Sequence, residues 1–247
     1  MAGHRIDLPV EGHDASLSVI VHGHWGRPVI VFPSEAGHAT DFESNGMVDA
    51  VRGLVDDGRV KLYCVDSADN FSWSDTSIPI EERALRHGAY THWITSRLLP
   101  WIDQDSDGAE PLALGCSMGA YHAVQLVLQR PDLVPLAIGF SGNYDVEGWR
   151  SWGAPGDATY FANPMAHVAN LHGDHLDWLR THASFLLVVG EGAWEVDPTG
   201  SLPSTRAMAD LMTAKGLRHE LDVWGHDSAH DWPWWQRQLA HHLPRFC

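Results

Sequence analysis

The chain has 247 residues, with 32 Asp and Glu against 16 Lys and Arg, which gives a formal net charge of −16. This charge would repel a nucleic-acid backbone or an anionic membrane surface, so we expect neither as a partner. With 44% hydrophobic residues and 3 cysteines, the composition indicates a folded protein without a disulfide framework. Neither a membrane-spanning run nor a signal-peptide pattern is found, which predicts a soluble, cytoplasmic protein.

Short apolar or β-branched runs bounded by turn residues predict seven strands. In chain order they are Leu17–Val21, Pro28–Phe32, Val60–Val65, Pro111–Cys116, Leu136–Phe140, Phe185–Gly190 and Glu220–Trp224. The first two follow each other without a helix between them. This order predicts an antiparallel hairpin at the edge of a sheet.

Stretches with helical spacing separate the later strands. They are Met47–Val55, Ile80–Trp101, Gly119–Gln129, Pro203–Lys215 and Trp232–Leu243. Alternating strands and helices favour right-handed βαβ units, so the predicted fold class is α/β, with a mostly parallel central sheet and helices on both faces. No repeat or linker divides the chain, which predicts one domain over residues 1–247. A homo-oligomer is compatible with the sequence.

One long segment, residues 141–181, interrupts the alternation of strands and helices. It is rich in Gly, Asp, Asn and Trp and has little periodicity, which is typical of an irregular functional loop. Its aromatic residues either line a ligand pocket or pack the segment against the core, and we predict Tyr144, Trp149 and Trp152 as substrate-binding residues. Tandem amphipathic helices long enough for a mobile lid are not evident, and no separate large cap domain is predicted.

The most specific motif is GCSMG at residues 115–119, which matches the pattern GxSxG. A serine on a sharp turn between a strand and a helix needs small neighbours two residues away on either side. Ser117 is therefore the predicted nucleophile. The amide of Met118, at the start of the helix, would bind a developing oxyanion, and the second donor is predicted to be the amide of Glu35 or Ser34 after the strand Pro28–Phe32.

A serine nucleophile needs a base, and after a turn of this kind the acid and then the base follow along the chain. His226 and His230 both follow the last predicted strand. We favour His230, because it lies just before a helix that Pro233 can open. The two histidines also have the spacing of a metal pair, but the segment lacks the Glu of HExxH, so no metal is predicted.

The acid is expected in the loop GEGAWEVDP, after the strand Phe185–Gly190. Its carboxylate would accept the Nδ1 proton of the histidine and stabilise the imidazolium. Glu191 lies too close to the end of the strand to reach the histidine easily. Glu195 is the predicted acid, and Asp197 is the alternative.

The motifs GCSMGA, GEGAWE and AHDWPWWQRQL together resemble the putative esterase family, in the esterase D and mycolyltransferase-like branch of the α/β-hydrolases. In that group the catalytic histidine stands in a His-x-Trp-x-x-Trp setting, which residues 230–235 match. The usual His-Gly after the early strand is replaced here by FPSE. The resemblance implies an α/β-hydrolase fold and acyl transfer from an ester, with neither a metal nor an organic cofactor.

The predicted function is therefore hydrolysis of a small-molecule carboxylic ester by a serine esterase that uses Ser117, Glu195 and His230. The same groups would serve an acyltransferase if an alcohol, rather than water, received the acyl group. A chain that kept the fold without turnover would be a binding module.

Overall fold

The structure is a computed structural model that describes residues 3–11, 15–149 and 151–247. Within these ranges, eight strands form one sheet in the order β1-β2-β4-β3-β5-β6-β7-β8. The pairs that involve β2 are antiparallel and all the others are parallel. The strands are β1 (His4–Pro9), β2 (Ser16–His22), β3 (Arg27–Phe32), β4 (Val60–Val65), β5 (Leu112–Cys116), β6 (Leu136–Phe140), β7 (Ser184–Gly190) and β8 (Arg218–Trp224). The predicted mostly parallel sheet is confirmed.

The predicted hairpin between the first two predicted strands is wrong. Strand β2 pairs with β4, and β3 lies on the other side of β4. The link between β2 and β3 crosses the start of β4 so closely that a Cβ on Gly26 would collide with the backbone of Arg59. Gly23 and Gly26 have positive φ angles of 97° and 107°, a conformation that glycine adopts without steric cost. Strand β1 occupies the edge that we expected the hairpin to occupy.

Eleven α-helices lie within the described ranges of the chain. None of them is long and apolar enough to cross a membrane. They are α1 (Asp41–Ser44), α2 (Met47–Ala50), α3 (Arg52–Asp56), α4 (Ile80–Trp93), α5 (Leu99–Asp105), α6 (Met118–Gln129), α7 (Asp157–Ala162), α8 (Pro164–Asn170), α9 (Gly173–His182), α10 (Ser201–Lys215) and α11 (Trp232–His242).

The segment 141–181 is more regular than its sequence predicts. It contains α7, α8 and most of α9, as well as a short 3₁₀ turn at Val146–Gly148. The helices α7 and α8 have only 6 and 7 residues. Helices this short give too few turns for a 3.6-residue pattern to stand out, so the sequence reads as a loop.

Side chains alternate along the central strands and divide the core into two layers. Ile30 and Phe32 of β3 pack with residues from α4 to α10, whereas Val29 and Val31 pack with residues from α1 to α3 and α11. Helices therefore cover both faces of the sheet, as predicted. Because β3 to β8 are parallel, their carboxyl ends meet along one edge, where ligands bind in open α/β sheets.

Candidate active site

Ser117 lies on the sharp turn that joins β5 to α6. Its backbone has φ 57° and ψ −119°, and its amide donates to the carbonyl of Phe140 at 2.8 Å. A Cβ on Gly115 would collide with the backbone of Gly119, and one on Gly119 would collide with the carbonyl oxygens of Phe32 and Pro33. Both glycines of the motif are thus needed for close backbone packing, which holds the serine above the carboxyl edge of the sheet.

His230 lies between Ser117 and Glu195. Its Nε2 is 3.0 Å from Ser117 Oγ, and its Nδ1 is 3.3 Å from Glu195 Oε2. The alternative base, His226, has a side chain that is 87% exposed and contacts Glu191. The structure therefore brings together the three residues that the sequence favoured, and His226 lies outside this series.

The carboxylate of Glu195 is fully buried and accepts hydrogen bonds from two further groups. Ser141 Oγ donates to Oε1 at 2.6 Å and the amide of Gly190 donates to the same oxygen at 3.2 Å. The alternative acid, Asp197, is exposed. Buried hydrogen-bond donors hold a carboxylate in one orientation, so Oε2 stays directed at His230.

Two residues of this network, Ser141 and Ser201, were not predicted from the sequence, and a third, Trp235, belongs to the motif that carries the base. Trp235 Nε1 donates to Ser141 Oγ at 3.1 Å, and its ring packs edge-on against His230 with 5.0 Å between centroids. Ser201 Oγ lies 3.3 Å from His230 Nδ1. The motif at 230–235 contains Trp235, but nothing local in the sequence places Ser141 or Ser201 beside the acid.

The loops that carry the acid and the base are joined through their backbones. Ala193 and Ala229 form a parallel bridge beyond the ends of β7 and β8. The amide of His230 donates to the carbonyl of Ala193 at 2.9 Å, and the amide of Ala193 donates to the carbonyl of Ser228 at 3.1 Å. These backbone contacts fix the loop of Glu195 against the loop of His230.

Replacing Gly192 with Ala is expected to lower the free energy of unfolding by about 2 kcal/mol, a typical cost of overpacking. A Cβ at this position would collide with the carbonyl oxygens of Ser228 and His226, which are backbone atoms that cannot rotate away. Urea unfolding followed by tryptophan fluorescence measures the change. Gly148→Ala is the matched control, because a Cβ on Gly148 meets nothing within 4 Å; equal stability of the two variants would contradict the prediction.

Two backbone regions supply the candidate oxyanion donors. Met118 is the first residue of α6, where amides have no acceptor within the helix. In the loop after β3, the amide of Ala36 donates to Asp69 Oδ2 at 3.1 Å, and the amide of Gly37 donates to the carbonyl of Ser34 at 3.0 Å. Those two amides are occupied, so the choice of second donor remains between Glu35 and Ser34.

A cavity of about 440 Å³ opens beside Ser117. Trp149, one of the predicted substrate-binding residues, lines it together with Glu35 and Met118. Tyr144, also predicted to line the pocket, is fully buried in the core instead. Trp152, which is 51% exposed, lies outside the wall and donates from Nε1 to the carbonyl of Thr76 at 3.0 Å. These three residues lie outside the helices of the segment, so no periodic pattern in the sequence indicates which of them packs inward and which lines the cavity.

Several solved structures are similar to this chain over almost its whole length. A ferulic acid esterase has a TM-score of 0.72 at 14% identity, covering 99% of this chain and 98% of its own. MPT51 (FbpC1) of Mycobacterium tuberculosis has a TM-score of 0.74 at 14% identity, covering 99% and 97%. S-formylglutathione hydrolase of Agrobacterium tumefaciens has a TM-score of 0.70 at 16% identity, covering 99% and 94%. These similarities confirm the predicted α/β-hydrolase fold.

Comparison by sequence gives the family. A search of curated proteins found no match. The putative esterase family matches residues 34–246, which is most of the chain, and confirms the resemblance seen in its motifs. The chain belongs to the putative esterase family and is an ester hydrolase with the α/β-hydrolase fold.

Proposed function

We propose that the protein hydrolyses small-molecule carboxylic esters through an acyl-enzyme on Ser117, with His230 as the base and Glu195 as the acid that orients it. The observation that supports this most strongly is the hydrogen-bonded series in which Ser117 Oγ is 3.0 Å from His230 Nε2, and His230 Nδ1 is 3.3 Å from Glu195 Oε2. A serine hydroxyl is a weak nucleophile, and an adjacent oriented histidine activates it.

In the first half of the reaction, Ser117 Oγ attacks the ester carbonyl and its proton passes to His230 Nε2. The carbonyl oxygen becomes an oxyanion, which the amide of Met118 and that of Glu35 or Ser34 stabilise by hydrogen bonds. The bond to the alcohol oxygen then breaks. The alcohol leaves with the proton from Nε2, and the acyl group remains on Ser117.

In the second half, water replaces the alcohol. His230 Nε2 takes a proton from the water as its oxygen attacks the acyl carbon, and returns that proton to Ser117 Oγ as the acid product leaves. Glu195 stabilises the positive imidazole in both halves. Because this carboxylate is fully buried, water does not compete for its hydrogen bonds.

Labelling with a fluorophosphonate tests the proposal. The probe reacts with activated serine hydroxyls, so we expect one modified residue, Ser117, with loss of p-nitrophenyl ester hydrolysis in proportion to labelling. Peptide mass spectrometry locates the label. The neighbouring Cys116 is not expected to react, because burial raises the pKa of its thiol well above the ordinary value and keeps it protonated.

A series of p-nitrophenyl esters of increasing acyl length is measured with the same preparation, and pretreatment with the probe is the control for each ester. Labelling at another residue, or hydrolysis that continues in fully labelled protein, would overturn the proposed mechanism.

A further inference from the structure

The cavity beside Ser117 has an unequal distribution of charge. Among the described residues that line it, Glu35 is the single charged side chain, and neither Lys nor Arg is present. The rest of the wall consists of hydroxyl, amide and apolar groups. A bound ester therefore meets a carboxylate and no cationic partner for an anion.

The carboxylate of Glu35 is held at this wall by a hydrogen bond. Its Oε1 accepts from Ser74 Oγ at 2.9 Å. The amide of Ser74 donates to the carbonyl of Asp69 at 2.9 Å, so the residue that holds Glu35 is itself fixed. One accepted hydrogen bond uses one of about four lone-pair positions on a carboxylate, and the remaining positions can serve a ligand.

Two indole rings stand in the same wall. Trp73 and Trp149 are nearly perpendicular, at 86°, with 5.6 Å between ring centroids. The face of an indole ring attracts cations, quaternary ammonium groups included, through its quadrupole. An ammonium group in this cavity therefore has two favourable kinds of group close by, the indole side chains and the exposed carboxylate of Glu35.

A buried cation, Arg83, lies near these rings without lining the cavity. It is fully buried, and its guanidinium donates to the carbonyls of Ile78 at 3.1 Å and Trp149 at 3.2 Å. These carbonyls accept hydrogen bonds from the buried guanidinium, and one of the bonds fixes the backbone of Trp149. Arg83 therefore positions the aromatic wall, whereas Glu35 presents the charge that a ligand contacts.

We propose that this cavity selects esters of alcohols that carry a quaternary ammonium or protonated amine group and disfavours anionic esters, an inference that rests on the proposed ester hydrolysis at Ser117. The overall formal charge of −16 acts in the same direction, because it raises the local concentration of cationic substrates.

Three thioacetates that differ in charge test the selectivity: acetylthiocholine, its uncharged isostere 3,3-dimethylbutyl thioacetate, and anionic S-acetyl-2-mercaptoethanesulfonate. Release of thiol gives kcat/KM for each. We expect acetylthiocholine to exceed the isostere by about tenfold, as an aromatic contact and a nearby carboxylate together allow. The anion is expected to be the poorest substrate.

Glu35→Gln keeps the shape of the side chain and removes its charge, so the ratio of acetylthiocholine to the isostere is expected to fall to about twofold. A ratio cancels any general effect of the substitution on turnover. Glu110→Gln is the matched control. Glu110 lies just before β5, at the amino ends of the parallel strands and away from the cavity, where its carboxylate pairs with Arg27 at 2.9 Å. This variant loses the same charge and is expected to keep the wild-type ratio.

Protection of Ser117 from the fluorophosphonate supplies a readout that needs no thioester turnover. Choline is expected to slow labelling at a concentration about tenfold lower than 3,3-dimethylbutanol. Equal protection by the two alcohols, or a thioester ratio that Glu35→Gln leaves unchanged, would overturn the cation preference while leaving ester hydrolysis intact. Failure of the fluorophosphonate to label Ser117 would instead reject the proposed function.

Discussion

Replacing Ser117 with Ala is expected to lower kcat for p-nitrophenyl acetate by roughly 10⁴- to 10⁶-fold, with KM changed by less than about threefold. Alanine has no oxygen to form the acyl-enzyme, whereas the cavity walls and candidate oxyanion amides remain. The backbone of this residue has φ 57°, which is left-handed for Ser and Ala alike, so the substitution adds little strain of its own. Steady-state kinetics and thermal unfolding, measured together, separate loss of chemistry from loss of fold.

Ser16→Ala is the control for this variant. Ser16 is exposed at the start of β2, which lies next to the edge strand β1, and no described residue of β2 lines the cavity. It is expected to hydrolyse the ester at the wild-type rate. Turnover by Ser117→Ala within about tenfold of wild type would contradict the acyl-enzyme and move the chemistry to another residue.

Glu195→Gln is expected to lower kcat by about 10⁴-fold. An amide at this position can donate to His230 Nδ1, which leaves the proton of the imidazole on Nε2, where it faces Ser117 Oγ. In that tautomer Nε2 cannot accept the serine proton. The loss is therefore expected in kcat, measured with p-nitrophenyl acetate at saturating concentration, rather than in KM.

Asp197→Asn is the matched control, because Asp197 is in the same loop and is exposed. We expect its kcat to stay within about twofold of wild type, as is usual for an exposed charge that lacks a catalytic partner. A large loss in Asp197→Asn together with an active Glu195→Gln would assign the acid to Asp197 and show that the loop rearranges in solution.

All seven predicted strands are present, because each is a run of β-branched or apolar residues bounded by turn residues. Their pairing was harder to predict than their existence. The contact between β2 and β4 joins residues 40 to 46 positions apart, and no local pattern in β2 distinguishes β4 from β3 as its partner. Strand β1 was missed because its sequence, HRIDLP, contains three ionisable residues and reads as a polar terminus.

The residues of the candidate site also differ in whether a local sequence pattern predicts them. Ser117 follows from a local motif, because the close backbone packing of the turn imposes glycine at 115 and 119. The choice between Glu195 and Asp197 depends on which carboxylate the folded loop buries, a property of the loop's contacts with the segment after β8. Ser141 supplies a donor to Glu195 from the end of β6, 54 residues earlier in the chain, where serine has no distinguishing neighbours.

The contact of Gly119 with the carbonyls of Phe32 and Pro33 has an evolutionary consequence. It fixes the spacing between the start of α6 and the loop after β3, which carry the proposed oxyanion donors, and it does so entirely through backbone atoms. The side chains that line the cavity take no part in it. Substitutions in the wall can therefore retune which ester is accepted without altering the distance on which the reaction depends, so a scaffold of this kind can diversify its substrates while its chemistry is conserved.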